Sequence, residues 1–175
     1  MIERQANSEL LREEHPFKKG FYRFKQQDLF TFIHNYKGTE KELSVWLIPD
    51  YREGREAYVS IEIMDGDGND IGKIAGVLEQ KGNRRNFYVE ELFNNTFDRS
   101  VSSVPRAVGA TIAQLVMRNI VMKWHSSYAP WLSMSARDMY ERYLAGNSDL
   151  EVQKPDEILP VYIVTARREL RESFG

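Results

Sequence analysis

Val101-Ser-Ser-Val-Pro-Arg-Ala-Val-Gly-Ala-Thr-Ile-Ala-Gln-Leu-Val-Met-Arg-Asn-Ile-Val-Met122 decides how the rest of the chain is read. Val108, Ile112, Leu115, Val116 and Ile120 recur at the i, i+4, i+7, i+8 and i+12 positions of one buried helical face, with Gln114, Arg118 and Asn119 on the other side. Pro105, Arg106 and Gly109 mark its beginning as a loop. A glycine there lets an anion approach backbone N–H groups that lack a partner inside the helix, and the helix dipole favours negative charge at the same place. Two readings stand: a core helix with a polar entry loop, or the same helix with a phosphate site at its mouth.

The totals narrow the classes. The 175 residues fit one domain with a core of ordinary size. Lys+Arg number 24 against 26 Asp+Glu, a net charge of −2, which lacks the basic excess of a protein that coats nucleic acid or an anionic membrane. Charged residues at 29% and aromatics at 12% describe a globular chain. No apolar run approaches the roughly 20 residues that span a bilayer, and Met1-Ile-Glu-Arg-Gln is not a secretory leader, so a cytoplasmic location is expected. With no cysteine there is no disulfide, thiolate metal site or cysteine nucleophile. His15, His34 and His125 have no ligand spacing among them, and no metal is expected.

Working outward, Asn7 or Ser8 caps a short helix, Glu9–Glu14, ended by His15-Pro16. Phe21–Lys25 alternates as a strand. Asp28 stands at a cap position before Leu29, Phe30, Phe32, Ile33 and Tyr36, which predicts a helix stopped by Gly38. Leu43–Pro49 reads as a strand. Ala57–Met64 and Ile71–Leu78 flank Asp65-Gly-Asp-Gly-Asn-Asp70 and predict a hairpin. That cluster begins like a calcium loop, but Asp70 and Gly76 stand where the glycine and the bidentate glutamate belong, so a turn is expected. A second turn, Lys81–Arg85, leads into a strand over Asn86–Phe93. After the long helix, Lys123–Tyr128 reads as a short strand, Ala136–Leu144 as a helix and Ile158–Thr165 as a strand.

This order, with certain residues at its joints, resembles the GCN5-related N-acetyltransferase (GNAT) superfamily. Tyr22–Leu29 is similar to that family's first strand and Asp-Leu helix start. Asp70-Ile-Gly-Lys-Ile-Ala-Gly76 is similar to its hairpin, Arg106-Ala-Val-Gly-Ala-Thr111 to its acyl-CoA loop, and Ala136-Arg-Asp-Met-Tyr140 to its late helix. The resemblance spans roughly residues 20–165. It implies an α/β fold of the α+β type: a mixed, mostly antiparallel twisted sheet with helices on both faces and splayed central strands. Residues 21–175 would form the single domain and 1–20 an N-terminal extension.

The activity implied by the resemblance is acyl-CoA-dependent N-acyl transfer, with acetyl-CoA or another acyl-CoA as cosubstrate. Arg106, Ala107, Val108, Gly109, Ala110 and Thr111 would cradle the pyrophosphate, and the thioester would lie between the strands near Phe93 and Trp124. An amine is mostly protonated near neutral pH and needs a base. Glu90 and Glu91 lie on the strand where the family often places one, and they point to opposite faces of a regular strand. Glu90 is the first choice; a strand bulge would reverse it. Tyr140 lies where the family's general acid protonates the departing thiolate. The alternative reading is a catalytically inactive fold of the same kind kept as a protein-binding or inhibitory module. The acceptor, an amine or a protein, and pairing of two chains through a sheet edge are left open by the residues.

Overall fold

The computed structural model describes residues 9–36, 38–50, 57–94, 104–125 and 144–167. A small hairpin comes first, β1 (Arg12–Glu14) and β2 (Tyr22–Phe24). Five strands follow in a meander: β3 (Gln27–Tyr36), β4 (Thr39–Pro49), β5 (Tyr58–Asp65), β6 (Asp70–Lys81) and β7 (Arg84–Asn94). Helix α1 (Val104–Met117) then leads to β8 (Ile120–His125), β9 (Leu150–Gln153) and β10 (Val161–Ala166). The main sheet has eight strands in the order β3-β4-β5-β6-β7-β8-β10-β9, antiparallel except for β7 beside β8.

This corrects the expected fold class. The described residues are mostly β, with one helix packed on one face of the sheet, not a sheet covered by helices on both faces. The decisive difference is residues 28–36. Leu29, Phe30, Phe32, Ile33 and Tyr36 satisfy a helical period, yet they form the edge strand β3. Phe30 and Phe32 face Val45 and Leu43 across the ladder, while Thr31 and Ile33 point the other way and are exposed. Alternation with aromatic and β-branched residues outweighs the helical spacing, because it buries one face on β4. Gly38, at φ 80°, supplies the left-handed turn into β4. The helix expected over residues 9–14 is likewise replaced, by β1 paired with β2, and Leu10 just before it enters the core. The helix expected over 136–144 lies outside the described residues except for Leu144, which is buried.

The hairpin expectation is met by β5 and β6. Asp65 closes its turn: Oδ1 accepts the N–H groups of Asp67 at 3.0 Å and Asn69 at 2.9 Å. Gly68 there has φ 80°. The next hairpin, β6–β7, is closed by Gly82 (φ 59°) and Asn83 between the paired Lys81 and Arg84.

The core lies between α1 and one face of the sheet. Leu43, Val45, Leu47, Val59, Ile61, Ile63, Ile74, Leu78, Phe87 and Met122 are buried there with Ile112, Leu115 and Val116 of the helix. The helix ends on Asn119 at φ 63°, a left-handed cap, with the Asn119 N–H donating to Val116 O at 3.0 Å. Arg85, 8% exposed, donates from Nη2 to the carbonyl of Arg118 at the same helix end. A cation there complements the negative end of the helix dipole. No helix of the described residues is long and apolar enough to cross a membrane.

Candidate active site: a fork between parallel strands

The chemistry-bearing residues gather where β7 and β8 part. These strands pair only from Arg85–Ile120 to Tyr88–Lys123. Beyond that point β7 continues to Asn94 bonded to β6, and β8 continues to His125 bonded to β10. Past Tyr88 the β7–β8 ladder has no further pair among the described residues. A parallel pair is joined by a crossover that runs back along the sheet, so the start of α1 lies at the end where the fork opens.

A bulge bends β7 at the throat. Ala75 pairs with Glu91 and Gly76 with Val89, leaving Glu90 as the extra residue. The cause is visible on β6. A Cβ at position 76 would press into the carbonyl oxygen of Tyr88 and lie 2.9 Å from its carbonyl carbon and 3.1 Å from the Glu90 nitrogen. Only glycine permits strands this close, and the extra residue increases the local twist.

The bulge also resets the faces. Phe87, Val89 and Leu92 pair with Leu78, Gly76 and Ile74 on the core side, so Glu91, not Glu90, shares the outer face with Tyr88. Glu91 is exposed, and its Oε2 accepts the Tyr58 hydroxyl at 3.1 Å. The Tyr58 ring is 4% exposed, so it holds that hydroxyl in place. Glu90 is half-buried at the bulge. At the last ladder pair, Lys123 Nζ sits 5.3 Å from the centroid of the Tyr88 ring, a cation–π distance. A carboxylate with a fixed phenol and an ammonium over an aromatic ring therefore share the outer face at the fork. Tyr58, Tyr88 and Lys123 were not singled out from the sequence as site residues. Their signal, Tyr58 opening one strand and Lys123 inside another, is ordinary in any strand.

The other expected site residues fall as follows. Residues 106–111 are not a loop: they lie in the first two turns of α1. Within a helix only the first four N–H groups lack an internal acceptor, and Pro105 has none, so Arg106 and Ala107 present theirs beside Val104. Ala107, Val108, Gly109, Ala110 and Thr111 are buried. Thr111 is fully buried, and its Oγ1 donates to Ala107 O at 2.8 Å, so its side chain is packed into the helix and does not crowd the mouth. No acidic residue occupies the first turn. Tyr140 lies outside the described residues. His125 is exposed at the end of β8.

Two carboxyls near the sheet's outer face and turns are shifted. Glu62 on β5 is raised, chiefly by desolvation and then by Asp70, against the opposing Lys73 across the ladder. For Asp65, desolvation acts upward, but hydrogen bonds from Asn69 and Asp67, with Lys41 nearby, outweigh it and hold the carboxyl below its usual range. Comparison with protein-family models and with curated protein sequences finds no match.

Proposed function

We propose that the chain is an acyl-CoA-dependent N-acyltransferase that moves an acetyl group to a primary amine by direct attack in a ternary complex. The observation that carries the proposal is the fork: one parallel strand pair, open beyond Tyr88 and Lys123, with a helix start at the same end. An acyl thioester entering between the strands would meet β7 backbone beyond the end of the β7–β8 ladder, where an N–H group is suited to stabilise a carbonyl oxygen as it gains negative charge. The N–H groups of Arg106 and Ala107 at the start of α1 would receive the pyrophosphate. The relationship to the GNAT superfamily is proposed on this unit alone and not on the whole fold.

In this reading the bulge moves the role of base from Glu90 to Glu91. The amine nitrogen attacks the thioester carbon, forming C–N as C–S breaks. Glu91, directly or through water, takes the ammonium proton, and Tyr58 keeps the carboxylate aimed. Tyr140 is kept as the candidate donor to the departing thiolate. The test is thiol release from acetyl-CoA with a panel of amines. Turnover that falls in Glu91→Gln more than in Glu90→Gln supports the reading; no turnover with any amine, together with no acyl-CoA binding, rejects it.

A second reading, an inactive protein-binding or inhibitory module, is favoured by one observation. Burial of Val108–Thr111 inside α1 leaves a narrower anion cradle than a six-residue loop. It predicts that Arg106→Glu leaves function intact, whereas the enzyme reading predicts a loss of acyl-CoA affinity.

A further inference from the structure

The two edges of the main sheet are β9 and β3, and they are built differently. β9 has four residues, carries Glu151 and is followed by Lys154 and Pro155. Short, charged edges resist added strands. β3 is ten residues long, and from Phe30 to Tyr36 it reads Phe-Thr-Phe-Ile-His-Asn-Tyr, without Lys, Arg, Asp, Glu or Pro. Among the described residues only β4 pairs with it, so alternate backbone N–H and C=O groups line its other rim. The one irregularity of its ladder falls between Asp28 and Phe30, which leaves Phe30–Tyr36 regular. At the midpoint Ile33 is 57% exposed, flanked on the same face by exposed Thr31 and Asn35.

We infer that the β3 edge is a homodimer interface, where two copies pair antiparallel about a two-fold axis through Ile33 and join their sheets into one. The occupant is a second copy because the stretch is complementary to itself about that residue. The register sets Ile33 opposite Ile33, Thr31 opposite Asn35 and Phe32 opposite His34. Aliphatic meets aliphatic, hydroxyl meets amide, and ring meets ring, the pairings that stabilise neighbouring strands. No like charges are opposed. An axis perpendicular to the sheet keeps α1 of both copies on one face, so each core stays closed, as an isologous contact requires. Moving the axis to Phe32 would set Thr31 against Ile33 and run the ladder into the irregular Leu29. The interface lies at the far edge from the fork and does not depend on the proposed activity.

Sedimentation equilibrium and cross-linking test the inference. The wild-type chain at high micromolar concentration should sediment at twice the single-chain mass. Ile33→Lys and Ile33→Glu, each folded by circular dichroism, should sediment as single chains, and their equimolar mixture should recover the dimer. The chain has no cysteine, so introduced ones report geometry cleanly. Ile33→Cys should self-link on mild oxidation, Thr31→Cys alone should not, and Thr31→Cys mixed with Asn35→Cys should. A wild-type chain that stays single, a dimer that survives Ile33→Lys, or Thr31→Cys self-linking as readily as Ile33→Cys would each overturn it.

Discussion

Gly76 and Tyr88 lie so close across the β6–β7 ladder that no side chain fits between them: a Cβ on Gly76 would meet the Tyr88 carbonyl. The contact is backbone on backbone, so it cannot give by rotating a side chain. Gly76→Ala should therefore cost at least the roughly 1–3 kcal/mol of an overpacked core position. It should also straighten the bulge that turns Glu91 outward. Urea unfolding reads the first effect. Loss of the proposed transferase activity beyond the loss of folded protein reads the second.

Glu91 and Tyr58 form the next testable pair. Removing a positioned general base typically costs 10²–10⁴-fold in rate, so the role proposed for Glu91 puts Glu91→Gln in that range and Glu90→Gln well short of it. Tyr58→Phe keeps the ring buried and deletes one hydrogen bond, costing about 1 kcal/mol of stability. Its effect on rate should be smaller than that of Glu91→Gln. Steady-state kinetics on the three variants separates base from positioner.

Arg85 and Arg118 tie three elements at the end of α1. Arg85 donates to the Arg118 carbonyl. Arg118 donates to Gln114 O and Oε1 at 3.1 and 2.7 Å, and its guanidinium carbon lies 3.9 Å from the centroid of the Phe30 ring. Burial lowers the pKa of both guanidiniums. Arg85→Ala should cost about 2–3 kcal/mol, from a lost charged hydrogen bond and a buried void. Arg118→Ala, losing a half-buried cation–π contact and the hydrogen bonds to Gln114, should cost about 1–2 kcal/mol. Denaturant midpoints at constant slope check both.

Two carboxyls give opposite acid responses. Asp65 is held below its ordinary 3.8 in the folded chain, so its stabilisation is present above that pH and is lost as pH falls through the folded value. Asp65→Asn should flatten this part of the acid limb. Glu62 is raised above 4.5, so folding favours its protonated form and stability declines as pH rises from 4.5 through the folded value. Glu62→Gln should remove that decline. Thermal unfolding from pH 3 to pH 7 reads both slopes.

The hairpin β5–β6 was legible because two alternating runs enclose a Gly/Asp/Asn turn, and local chemistry alone decides such a unit. Helix α1 was legible at its own period, but it stops at Met117, and Ile120 and Met122, read with the helix, belong to β8. Strand β3 was not. Its apolar residues fit both periods, and what decides between them is the exposed rim of β4, which lies in tertiary structure. The order β7, α1, β8 was readable, but the length of the β7–β8 ladder was not, because residues on both sides of the fork are equally strand-like. The preference between Glu90 and Glu91 turned on one bulge. Its cause, Gly76, was quoted as part of a motif, not as a point of contact between strands.

Acyl-CoA binding tests the central claim most directly. At about 100 times its dissociation constant, acetyl-CoA should stabilise the folded chain by about 2.7 kcal/mol, raising the melting temperature by roughly 5–10 °C for a chain of this size. Arg106→Glu should reduce that rise. No shift with millimolar acetyl-CoA or with longer acyl-CoAs would contradict the account.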